Sequence, residues 1–302
     1  MWSIFYTLPS GVKRKQQHKE FVITLDSTRV AFNGWLPYAT IPACLWSAPV
    51  PRLGLMPDWN LMWHYYRRRL SDCDWVVSDT LGAERLNQAG LSHVRPGNLC
   101  GCESIFVETS WPEQPRDIDV LMIGNFNPAV QRERMSWLGR LARLGRRWNV
   151  VLRAGVFGES YRRLLARSRI VFHASAKHKV GPRAFEAAAA GALIFQERDN
   201  RELPDNFRDR QECVYYRSYE VEQLLDHYLE HEEERRTLTE AARARVARYR
   251  FEDFWEGILA SVEPELSRRD RTPQSETRAT DVKELLTRCW QAVQSSQWED
   301  IS

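Results

Sequence analysis

With 302 residues, 43% of them hydrophobic and 27% charged, the chain has apolar material for a sizeable core and the length of two ordinary domains. A net charge of +3, with acids and bases interleaved, leaves no basic footprint for nucleic acid, and no run approaches the roughly 18 apolar residues of a membrane-spanning helix. Six scattered cysteines fit reduced thiols in a cytoplasmic protein, and Cys100 and Cys102 lack a second ligand pair at zinc-site spacing, so no metal is expected.

The first half is irregular. Phe21 to Leu25 and Asp74 to Ser78 read as strands. Asn60 to Leu70 reads as a helix with tryptophan and tyrosine on one side and Arg67, Arg68 and Arg69 on the other, and Thr80 to Ala89 as a helix stopped by Gly90. Pro112 to Arg116 is polar, and its two prolines resist both helix and central strand, which puts a domain boundary there.

Beyond that boundary strands and helices alternate. The predicted strands are Asp119 to Ile123, Asn149 to Ala154, Arg169 to His173, Ala192 to Gln196 and Cys213 to Tyr216. The predicted helices are Ala129 to Arg147, Glu159 to Arg167, Pro182 to Ala190, Tyr219 to Glu230 and Glu232 to Arg248, the first with Met135, Leu138, Leu141, Ala142 and Leu144 as its apolar residues. Continuously apolar strands separated by helices imply a parallel sheet covered on both faces. Ser267 to Thr280 then reads as a polar linker, and Asp281 to Gln294 as an amphipathic helix that docks on the protein's own core or on a protein partner.

Three glycine turns follow predicted strands of this second half: Gly124-Asn125-Phe126-Asn127-Pro128, Gly155-Val156-Phe157-Gly158, and the loop ending at Gly181-Pro182. In an open parallel sheet, ligands settle beyond the carboxyl ends of the strands, where helix N-termini expose unpaired N–H groups. Arg132 and Arg134 stand at one such helix start, and Lys177, His178 and Lys179 precede another. Cations there oppose the helix dipole, so a bound anion such as a diphosphate is inferred. The sharpest segment is Gly181-Pro-Arg-Ala-Phe-Glu-Ala-Ala-Ala-Ala-Gly191, in which Arg183 and Glu186 lie one turn apart; the bland reading of that pair is a surface ion pair.

These residues carry a resemblance. Asp119-Val-Leu-Met-Ile-Gly-Asn-Phe-Asn-Pro, the Arg183-Ala-Phe-Glu-Ala-Ala-Ala-Ala-Gly-Ala segment and Glu197-Arg-Asp-Asn-Arg-Glu-Leu together resemble the carboxyl-terminal domain of glycosyltransferases with two Rossmann-like domains, the GT-B architecture. Within that class the closest resemblance is to the spore-maturation-protein glycosyltransferase-like group of bacteria. It covers about Asp117 to Trp255. The implied fold is α/β with an abbreviated acceptor-side domain over residues 1–115, a nucleotide-sugar-binding domain over 116–262, and a linker and helix over 263–302.

The resemblance implies a hexosyltransferase that needs neither metal nor cofactor and uses a nucleoside-diphosphate sugar as donor. Its acceptor is an unidentified carbohydrate, lipid-linked or protein group. Glu186 is then expected on the ribose, Arg132 most nearly on the diphosphate, and the backbone from Gly181 to Ala184 against the donor, with Gly124, Asn125, His178, Lys179 and Arg183 completing the site. His178 stands where many relatives carry a sugar-contacting glutamate, which keeps open a non-catalytic nucleotide-sugar-binding protein on the same scaffold. The first half offers Asp58, His64 and Asp79 as candidates for a general base, with none set apart by its surroundings in sequence.

Overall fold

The computed structural model describes residues 30–33, 52–56, 59, 70–71, 73–97, 106, 111, 114–128, 131–174, 180–250, 253, 256–257 and 260. The expected strand at Phe21 to Leu25, all but the last residue of the helix at Asn60 to Leu70, the linker and the amphipathic helix lie outside these. So do Asp58, His64, Cys100, Cys102, Lys177, His178 and Lys179. The chain falls into two compact units, one of Met1–Leu99 with Ile258–Ser302 and one of Cys100–Gly257.

The first unit holds a parallel sheet of four strands in sequence order: β1 (Val30–Asn33), β2 (Arg52–Met56), β3 (Trp75–Ser78) and β4 (Val94–Pro96). Helix α1 (Thr80–Gln88) connects the last two. Met56, Leu70, Cys73, Val76, Ala83, Leu86, Leu91 and Val94 form its core. Strands β1, β2 and β4 were not expected. They are short, and β2 holds a glycine and β4 a proline, so their local pattern is weak, and it is pairing along the sheet that makes them strands.

In the second unit a five-stranded parallel sheet runs in the order β6-β5-β7-β8-β9. The strands are β5 (Ile118–Ile123), β6 (Val150–Arg153), β7 (Ser168–His173), β8 (Leu193–Glu197) and β9 (Val214–Tyr216). Between them come α2 (Arg132–Leu144), α3 (Gly158–Ala166), α4 (Pro182–Ala189) and the single turn α5 (Leu203–Asn206), and α6 (Val221–Glu230) and α7 (Glu232–Val246) follow β9. Successive strand residues point to opposite faces. Leu121 and Ile123 therefore pack with α3, α4 and α7, while Val120 and Met122 pack with α2 and α6. Both faces are covered, which is why these strands read as unbroken apolar runs.

Helix α4 is pressed close to the sheet, because Ala184, Ala187, Ala188 and Ala189 are small enough to be fully buried between backbones. It ends at Gly191, whose φ of +72° is a left-handed conformation that a side chain resists. Arg116 closes this edge by donating to Ser168 O at 2.5 Å and to Ala190 O at 2.6 Å. Phe106 and Trp111 precede the proline-rich stretch at 112–116 yet belong to this second core, where Trp111 Nε1 donates to Phe106 O at 2.9 Å. Among the described residues no helix is long and apolar enough to cross a membrane, and no three His, Cys, Asp or Glu side chains gather as metal ligands.

Candidate active site

The sheet order dictates where a ligand fits. From β5 the chain moves outward to β6 and then returns past β5 to β7, so the connections leave in opposite directions between β5 and β7. A crevice opens at such a switch point, beyond the carboxyl ends of the strands. Here those ends are Ile123, leading into the Gly124 turn, and His173, leading to Ala174.

Arg134 spans this crevice. Its Nε donates to Ala174 O at 2.9 Å and one terminal nitrogen to Asn125 O at 3.3 Å, which ties the loops after β7 and β5 together. The side chain is only 9% exposed, and burial with the neighbouring Arg183 charge lowers its pKa to about 10, still charged at neutral pH. Arg183 comes from the first turn of α4. A Cβ added to Gly124 would stand 3.2 Å from a terminal nitrogen of Arg134 and 3.3 Å from one of Arg183, so the absent side chain leaves room for two guanidinium groups on the same turn. Among the described residues neither arginine has a carboxylate in ion-pair contact. Two adjacent cations with no ion-paired carboxylate among the described residues attract an anion.

Arg132 was expected nearest the diphosphate. That residue is exposed, while Arg134, two positions on, points inward. The buried stripe of α2 is Arg134, Trp137, Leu141 and Leu144, at helical spacing, and Met135, expected among the apolar residues of that helix, is 39% exposed. The signal was in the sequence: running the stripe back three residues from Trp137 lands on Arg134.

Glu186 lies one turn beyond Arg183 on α4, half-buried, and its Oε2 accepts a short hydrogen bond from the Tyr161 hydroxyl. Tyr161 projects from α3, which opens after the second glycine turn. Burial, followed by the Glu186 charge, pushes its pKa well above normal, so the hydroxyl keeps its proton. Nothing in the sequence singled out Tyr161 except its place four residues before the buried Leu165.

Beneath the crevice lies His173, whose Nδ1 is 3.0 Å from Gln196 Oε1. Full burial and the charges of Arg183 and Arg134 lower its pKa to about 3, so it is a neutral imidazole. Glu202, in the Glu197-to-Leu203 segment, accepts from Val180 N at 3.0 Å and anchors the approach to α4.

Of the residues expected in the site, the structure gathers Gly124, Arg183 and Glu186 at the crevice, with Gly181 as the N-cap of α4. Asn125 contributes its carbonyl; its side chain accepts from Asn127 N at 2.9 Å in a local turn. In the other unit Asp79 has a structural task. Its Oδ1 caps α1 by accepting from Gly82 N at 2.7 Å and also accepts from Trp59 Nε1 at 3.1 Å, and the side chain is buried.

Against this geometry the comparisons are specific. The profile of the family described as Glycosyl transferase-like matches residues 105–259, which contain the whole crevice. The chain belongs to that family. No curated protein matches it. Among solved structures it is similar to the Anabaena protein Alr3699/HepE, crystallised with UDP, at 13% identity and a TM-score of 0.53 over 71% of this chain and 72% of the other. A glycosyltransferase from Rickettsia africae is similar at 13% identity and a TM-score of 0.51, over 80% and 78% of the two chains. A Staphylococcus aureus TarM variant crystallised with UDP is similar at 11% identity and a TM-score of 0.51, over 70% and 50%. The chain thus has the GT-B fold, with two parallel sheets.

Proposed function

We propose that this glycosyltransferase moves a sugar from a nucleoside diphosphate to an acceptor in polysaccharide, envelope or protein glycosylation, and that the crevice at the β5–β7 switch point holds the donor. The observation that carries the reading is the pairing of Arg134 and Arg183 at the side-chain-free Gly124 turn, one helical turn from the Glu186 carboxylate. That spacing suits a diphosphate beside a ribose. The HepE and TarM structures, which contain UDP, support a nucleotide of this kind.

In the reaction the anomeric C–O bond to the diphosphate breaks, its electron pair goes to the departing phosphate oxygen, and the sugar carbon becomes oxocarbenium-like before the acceptor oxygen bonds to it. Two fixed guanidiniums stabilise the charge that grows on the leaving group, because they need no reorganisation as it forms. They supply the positive charge that a divalent metal would otherwise bring, so transfer is expected to survive a chelator. The first unit is assigned to the acceptor.

Thermal shift of the full chain with UDP, GDP, ADP and NAD tests the reading, followed by hydrolysis of the matching sugar nucleotide with and without EDTA. One nucleoside diphosphate should stabilise the protein and its sugar conjugate should be turned over. Stabilisation by NAD alone would overturn the assignment, and binding without turnover of the sugar nucleotide would reduce the protein to a binding module. Glu186→Ala should abolish the shift with the fold intact.

A further inference from the structure

Arg183 and Glu186 stand three residues apart on α4. Side chains at that spacing are neighbours on a helix, and an arginine and a glutamate there ordinarily close on each other. In a nucleotide site such closure would cancel both recognition groups at once. Among the described residues they form no ion pair with each other. The Tyr161 hydroxyl takes hold of the carboxylate instead, donating to Glu186 Oε2.

Tyr161 is held from outside α4. Its helix brings it in from the neighbouring connection, and its ring packs edge-on to Phe106, with centroids 6.2 Å apart and planes at 73°. A protonated phenol donates to a carboxylate, so it competes with the Arg183 guanidinium for Glu186.

We propose that Tyr161 is a positioning residue that keeps Arg183 and Glu186 from pairing, so that the cation stays turned to the diphosphate and the carboxylate to the ribose. The proposal rests on the reading of the crevice as a nucleotide site. Tyr161→Phe keeps the ring and its packing but removes the donor that holds Glu186. The two charged side chains then close on each other, and a ligand must break that pair before it binds.

The test is isothermal titration of wild type and Tyr161→Phe with UDP, GDP or ADP, whichever binds, and with its 2′-deoxy and 3′-deoxy counterparts. Wild type should prefer the ribonucleotide by about tenfold, the worth of a hydrogen bond to a charged group. Tyr161→Phe should lose that preference and bind all three nucleotides about tenfold more weakly than wild type binds the ribonucleotide. A variant that melts lower yet keeps both preference and affinity would show a packing role only and overturn the proposal. A wild type blind to the ribose hydroxyls would remove the ribose reading itself, and the proposal with it, before any variant is made. If Tyr161→Phe does not fold, Glu186→Asp keeps the charge but withdraws it from the tyrosine, and the ribonucleotide preference should vanish there too; its persistence would count against the proposal.

Discussion

Two arginines, Arg116 and Arg134, tie together opposite edges of the same sheet. Arg116 bonds Ser168 O and Ala190 O beside the start of β7, and Arg134 bonds Ala174 O and Asn125 O beyond the ends of β7 and β5. Burial lowers both pKa values to about 10, so each is charged and each costs some desolvation. By these measures they are the same device. What separates them is their place: Arg116 sits at the carboxyl end of α4, where carbonyls welcome a cation even beside the charges of Arg235 and Arg243, and Arg134 sits beside Arg183 at a switch point. Burial and cationic neighbours are therefore no mark of a ligand site by themselves; a position beyond the carboxyl ends of the strands is what sets Arg134 apart.

The largest effect that would break this contrast comes from replacing each arginine by methionine. Arg116→Met and Arg134→Met should each cost about 2 kcal/mol of stability through lost charged hydrogen bonds to carbonyls, seen as a fall of several degrees in melting temperature. Only Arg134→Met should also weaken nucleoside diphosphate binding, by about a hundredfold in titration calorimetry, since a charge-assisted phosphate contact is lost as well. Equal binding by the two variants would reduce Arg134 to a second Arg116.

A smaller effect separates the glycines beside the two arginines. At Gly191 a Cβ would meet an Arg116 terminal nitrogen at 2.9 Å in a left-handed backbone, so Gly191→Ala should lower stability by about 1–2 kcal/mol in denaturant unfolding. At Gly124 the guanidiniums lie at 3.2 and 3.3 Å and can give way, so Gly124→Ala should unfold almost as wild type does while binding nucleotide several-fold more weakly.

The smallest concerns acid. His173 is neutral in the folded state, with a pKa of about 3 against the ordinary 6.5, so the unfolded chain takes up its proton first. Stability from this group is complete above pH 6.5 and is lost as pH falls from there towards 3. His173→Gln should blunt that loss, visible as an acid-unfolding midpoint moved to lower pH, with nucleotide affinity at pH 7 nearly unchanged. Arg116→Met should leave the midpoint's dependence on His173 intact, because Arg116 lies at the other edge.

Much of the second unit was legible in sequence. Its five strands and the long helices around them lie within two or three residues of where periodicity placed them, since apolar runs closed by glycine turns leave few alternatives over that length. The first unit was not legible to the same degree: Val30–Asn33 and Val94–Pro96 are strands only because a neighbour pairs with them. Of the crevice, Gly124, Arg183 and Glu186 were legible because glycine turns and a conspicuous alanine-rich helix mark themselves. Arg132 was named from the resemblance, as the first basic residue after the glycine turn, and Arg134 is the one of the two that is buried.

The sequence by itself determined an α/β chain with a parallel sheet, the helix that carries Arg183 and Glu186, and a resemblance that the family profile bears out. Only the tertiary structure decided which arginine enters the crevice, that a tyrosine from another connection bonds Glu186, and that Asp79 caps a helix. The physical reason is that periodicity records which face of an element is buried. Which buried polar groups meet one another depends on contacts between residues far apart in the chain, and those arise only when the sheet brings its connections to one edge.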